Sequence, residues 1–118
     1  MKYDIRSRDD IASLINSFYS KVRVDETLSH LFASVDWDHH TPIIINFWTM
    51  VLLGDQSYSG NPLVKHMHMN LEKQHFERWL LLFTTTVDQL FEGEKANEAK
   101  QRAHSIAGIF QYKLNIHS

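Results

Sequence analysis

The sequence predicts an all-α fold. Apolar residues recur every three to four positions through most of its length, the signature of helices with one buried face. No stretch alternates apolar and polar residues as a half-buried strand does, and no repeat, low-complexity tract or linker interrupts the chain. With 118 residues it is expected to form one domain, long enough to bury a core without disulfide or metal staples.

The first helix is expected to start at Ser7-Arg8-Asp9-Asp10, where Ser7 can cap and the aspartates complement the helix dipole. Ile11, Leu14, Ile15, Phe18, Tyr19 and Val22 then share one face. Tyr19 lies within that apolar stripe, so its hydroxyl needs a partner inside the protein or in something bound there. Asp25-Glu26-Thr27 opens a shorter helical piece carrying Leu28, Leu31 and Phe32, too short to stand alone. The next face runs His40, Ile43, Ile44, Phe47, Trp48 and Val51 and ends at Gly54, a C-terminal cap. Pro42 cannot donate a backbone hydrogen bond and disfavours helical backbone at Thr41, so this helix is expected to start or kink there.

Residues 54–62 read as a loop, and Pro62 suits the first turn of a short helix carrying His66. Asn70 is a candidate cap for a long helix with Leu71, Phe76, Trp79, Leu80, Phe83, Val87, Leu90 and Phe91 inward, closing at Gly93. The last helix is expected from Asn97 to about Leu114. Its face of Ala99, Ala103, Ile106, Ala107, Phe110 and Leu114 is small enough to admit a close neighbour.

Composition narrows the function. A net charge of −2 and a pI near 6.4 give no electrostatic reason for a nucleic-acid or membrane partner. Cysteine is absent, which excludes disulfides, thiolate metal sites and thioether-linked cofactors. Neither a secretory leader nor a membrane span is legible, so a cytoplasmic location is expected. Hydrolytic motifs are also missing: there is no G-x-S-x-G elbow, phosphate-binding glycine loop or H-E-x-x-H helix. Eight histidines and 12% aromatic residues leave metal or cofactor binding as the open class.

Two non-haem metal readings are available. Glu72-Lys73-Gln74-His75 has the E-x-x-H spacing of di-iron bundles, but that site needs a second copy and two further glutamates. His66 and His68 with His39 and His40 could in principle bind zinc, although neighbouring histidines point in different directions on a helix. A haem pocket accounts for more residues. It needs one histidine on a short helix as axial ligand, an aromatic and aliphatic wall, and a few polar groups on the opposite side. His66 can serve as the ligand, Phe32, Ile44, Phe47, Trp48 and Phe76 as the wall, and Tyr19, His40 and Trp79 as the polar tips. Each taken alone is more often a core or surface residue; the combination carries the reading.

The ordered set Phe18-Tyr19, Lys21-Val22-Arg23, Leu28, Leu31-Phe32, Trp37, His40, Asn46-Phe47-Trp48, Leu52-Leu53-Gly54, Tyr58, Gly60, Pro62-Leu63, His66, His75-Phe76, Trp79-Leu80, Arg102-Ala103 and Ile106-Ala107 resembles the truncated haemoglobins over almost the whole chain. The lack of adjacent glycines favours their third group. The resemblance implies a two-over-two globin sandwich around one non-covalent haem b. His66 would be the proximal iron ligand, with Tyr19, His40 and Trp79 on the distal side. Phe32, Ile44, Phe47, Trp48, Leu63 and Phe76 would contact the cofactor. It further implies binding of oxygen, nitric oxide and carbon monoxide, with nitric oxide dioxygenase or peroxidase-like chemistry as extensions. An unidentified reductase and a monomer or weak oligomer complete the expectation.

Overall fold

A computed structural model describes residues 2–54 and 71–114. Four α-helices and one short 3₁₀ turn account for the regular structure of those residues, and no strand occurs among them. The helices are α1 (Arg8–Val22), α2 (Trp37–Leu53), α3 (Lys73–Leu90) and α4 (Glu94–Lys113), with the 3₁₀ turn at Ser29–Phe32 between α1 and α2. Helix α1 packs on α2 and α3, and α3 packs on α4. The fold is therefore all-α, with two packed helix pairs.

Helix α1 begins as its sequence suggests. Ser7 is the N-cap, its hydroxyl accepting from Asp10 N–H at 3.4 Å. Ile11, Leu14, Ile15, Phe18 and Val22 are fully buried. Phe18 meets Phe83 and Trp79 of α3 edge-on, with centroids at 5.1 and 5.6 Å.

Helix α2 departs from expectation. It starts at Trp37 and runs through Pro42 instead of beginning there. The bond that Pro42 cannot make is to the carbonyl of Asp38, an exposed residue at the start of the helix, where water can take its place. Gly54 ends α2 at φ +75°, its N–H donating to the Met50 carbonyl at 3.1 Å.

Helix α3 starts at Lys73, with Glu72 as N-cap, and the expected cap Asn70 lies outside the described residues. Leu90, expected inward, is 37% exposed. Helix α4 begins at Glu94, three residues before the expected Asn97. The reason is a distant side chain: Asp4 accepts from Lys95 N–H (2.9 Å) and Ala96 N–H (2.8 Å), filling the role of a local cap. Glu92 N–H donates to the Tyr3 carbonyl and Ile5 is buried, so the N-terminal strap is fastened across the α3–α4 corner. Gly93, at φ +142°, permits this approach; a Cβ there would lie 2.5 Å from Asp4 Cγ. Ala96, Ala99, Ala103 and Ala107 form the buried stripe of α4, and their small size lets it sit close against its neighbour.

Candidate functional site

The helices line a partly open, mostly apolar cavity of about 130 Å³. Two of its lining residues, Trp48 and Trp79, belong to an aromatic stack with the buried Phe83 between them. The Trp48 and Phe83 rings lie 4.8 Å apart at 22°, and Phe83 and Trp79 lie 5.5 Å apart at 12°. Phe32, Ile44, Phe47, Trp48 and Phe76 all line the cavity, as the sequence reading expects, and so do Tyr19, His40 and Trp79. Side chains from α1, α2, α3 and the 3₁₀ turn thus converge on one space.

The polar wall has internal structure. Tyr19 and Trp79 are hydrogen-bonded. An indole N–H can only donate, so the Tyr19 oxygen accepts and its own hydrogen remains for another acceptor. Burial pushes the Tyr19 phenol up to about 12, opposed by the Trp79 hydrogen bond. Tyr19 is consequently a neutral donor across the physiological range. Its ring is held by Phe18 at 4.6 Å, Trp37 at 5.1 Å and Phe32 at 6.2 Å. Trp37 also meets His40 edge-on at 6.0 Å, while the Arg23 guanidinium covers Trp37 at 5.3 Å from its centroid. Starting α2 at Trp37 therefore places His40 within the helix, on the cavity side.

Asp25 positions the turn that brings in Leu28, Leu31 and Phe32. Its Oδ2 accepts from Thr27 and Leu28 N–H, and its Oδ1 takes Arg78 Nε and Nη2, each at 2.8 Å. The Arg78 hydrogen bond holds the Asp25 carboxyl below its ordinary value, opposed by burial and assisted by the backbone bonds. One carboxylate thereby ties the α1 exit to α3.

The di-iron reading loses its main residues. Glu72 and His75 form a capping box: the Glu72 side chain accepts from the His75 backbone, and His75 Nδ1 accepts from Glu72 N–H at 2.8 Å. Their E-x-x-H spacing is used for starting a helix. Among the described residues no group of three or more histidine, aspartate or glutamate side chains could hold a metal ion. His66, Leu63 and His68 lie outside the described residues.

Sequence reasoning missed several lining residues: Ile43, Leu71, His75 and, from α4, Ile106, Ala107 and Phe110. The α4 residues were legible as an apolar face, but nothing local says which part of that face meets the core and which meets the cavity. His75 carried a signal, since it stands four residues before Trp79 and thus on the same face of α3.

Comparison with known proteins agrees with this geometry. The sequence profile of the bacterial-like globins matches residues 3–111. A group 3 truncated haemoglobin of Campylobacter jejuni is 36% identical, over 97% of this chain and 95% of its own. The crystal structure of a group III truncated haemoglobin from that organism superposes with a TM-score of 0.86 at 38% identity, covering 97% of this chain and 95% of the other. A truncated haemoglobin from Tetrahymena pyriformis, in its Fe(III) form, gives a TM-score of 0.74 at 28% identity, with coverage of 93% and 92%.

Proposed function

The chain belongs to the bacterial-like globin family as a truncated haemoglobin, a class of haem b proteins that bind gases, and we propose that it binds oxygen and related diatomic ligands in the cavity lined by Tyr19, His40 and Trp79. The observation that carries this reading is the placement of the Tyr19–Trp79 pair and His40 on an otherwise apolar cavity. Apolar walls suit a porphyrin's faces, and clustered donors suit a small polar ligand. When bound, haem supplies an iron that accepts a diatomic ligand and loads it with partial negative charge.

The chain's own residues then do the rest. Tyr19 O–H donates to the ligand while Trp79 N–H holds the phenol in place and polarises it. His40, on the facing helix, supplies a second polar group. Phe32, Ile44, Phe47, Trp48 and Phe76 exclude water, which strengthens each of these hydrogen bonds. His66 is assigned as the proximal ligand and Leu63 as a further cofactor contact, on the interval from Pro62 that resembles the family pattern.

The same donors would serve reaction of oxygen with nitric oxide, for which a reductase would have to keep the iron ferrous, or activation of peroxide. The first test is an absorption spectrum of the purified protein when ferric, when reduced, and with carbon monoxide. A Soret band that moves at both steps is expected. Folded protein that shows no such band after haemin is added would remove the proposal.

A further inference from the structure

We infer that His75 is a hydrogen-bond donor to a carboxylate of the cofactor, anchoring one propionate at the α3 end of the cavity; this rests on the haem reading above. His75 is only 5% exposed, and its ring lines the cavity. Nδ1 is committed as the acceptor of Glu72 N–H, so the neutral ring carries its proton on Nε2. No hydrogen bond from Nε2 to another described residue is present, and no fully buried side-chain nitrogen or oxygen among the described residues lacks a partner. Nε2 is the donor that remains to the ring, on a side chain of fixed tautomer that lines the cavity.

Position sets what it can reach. His75 stands one turn before Trp79 on α3, about 6 Å along the helix axis, away from the Tyr19–Trp79 pair that faces the gas ligand. Porphyrin faces and methyl or vinyl edges offer no strong acceptor, whereas the two propionates do. A charge-assisted N–H···O⁻ bond is the stronger kind, and the start of α3 adds the favourable end of a helix dipole for an anion. The nearby charges are compatible with this. The Glu72 carboxylate is engaged by the His75 backbone, Arg78 is taken by Asp25, and His30 packs edge-on against the His75 ring at 5.7 Å.

The rival account makes His75 a helix cap and nothing more, and His75→Glu separates the two. Glutamate at this position preserves the capping box, but it replaces the donor with a negative acceptor. Release of haemin and of haemin dimethyl ester to an excess of acceptor globin would be timed for the wild type and the variant, alongside urea unfolding of both apoproteins. The expected result is loss of haemin about 10-fold faster or more in the variant, with the ester changed by less than about 2-fold and apoprotein stability nearly unchanged. Equal acceleration for both porphyrins, or none for either, overturns the anchor and leaves His75 a cap. If H75E does not fold, His75→Gln, which also keeps the box, takes its place with a smaller expected difference in the same direction. A wild-type protein that takes up neither porphyrin would instead sink the haem reading itself.

Discussion

Replacing Tyr19 with phenylalanine tests the polar wall at its centre. The substitution deletes one oxygen that does two things: it accepts from Trp79 N–H and presents a hydrogen to the cavity. The ring itself should stay, because its contacts with Phe18, Phe32 and Trp37 are aromatic and do not involve the hydroxyl. A hydrogen bond to a charged acceptor contributes about 1.5–3 kcal/mol, or about 10- to 150-fold in an off-rate if the whole bond is lost on release. Two effects pull the estimate down. The ligand carries only partial charge, and Trp79 N–H, freed from Tyr19, can turn to the ligand instead. The expected outcome is oxygen release faster by roughly 10-fold, with carbon monoxide release changed less. Stopped-flow oxygen dissociation measures it. Adding Trp79→Phe should then give a coupling of more than about 0.5 kcal/mol in a double-mutant cycle, since the two side chains share a hydrogen bond. An unchanged oxygen off-rate in Tyr19→Phe, with haem still bound, refutes the reasoning.

Three other outcomes are expected. In His66→Ala, haem retention should fall sharply or the ferrous spectrum should change; an unaltered spectrum would mean that another residue ligates the iron. Gly93→Ala should cost about 1–3 kcal/mol in urea unfolding, because its backbone sits at φ +142° and the new methyl meets Asp4. Combining it with Asp4→Ala should be less than additive, since the Asp4 carboxylate that would clash is also the cap of α4. The Asp25 carboxyl lies below its ordinary value of 3.8, so its stabilisation is present above that value and is lost as pH falls through the lower folded value. Asp25→Asn should therefore be less stable than the wild type near neutrality but lose less stability between about pH 5 and pH 2; parallel loss in both would remove Asp25 from acid unfolding.

Much of this was legible from spacing alone. Ser7 and the apolar stripe of α1 predicted a helix that begins one residue after the cap, and Gly54 marked the end of α2. The cavity residues Phe32, Ile44, Phe47, Trp48 and Phe76 were also legible, because a haem wall and a core face are built from the same residue types. What spacing could not show were pairings between distant residues. Tyr19 and Trp79 are on different helices, and only the packing of α1 on α3 decides that the phenol takes the indole N–H. Asp4 lies 91 positions from Lys95, so the true start of α4 could not be read from the residues around Asn97.

Glu72 and His75 show why the same letters can support opposite conclusions. As a pattern, E-x-x-H puts both side chains on one helix face, where they could share a metal, provided both are inside the helix. The backbone removes that condition. With Glu72 in extended geometry at φ −120° and ψ 167°, it precedes the first turn, and the two side chains turn back to satisfy backbone N–H groups. Commitment of Nδ1 to that task fixes the tautomer and leaves Nε2 as the only donor the ring can offer to the cavity. A helix that began at Asn70 would have placed His75 in its second turn with no cap to serve, and its proton would have been free to sit on either nitrogen. The position of one helix start thus determines which hydrogen-bonding group the protein presents at that end of the cavity.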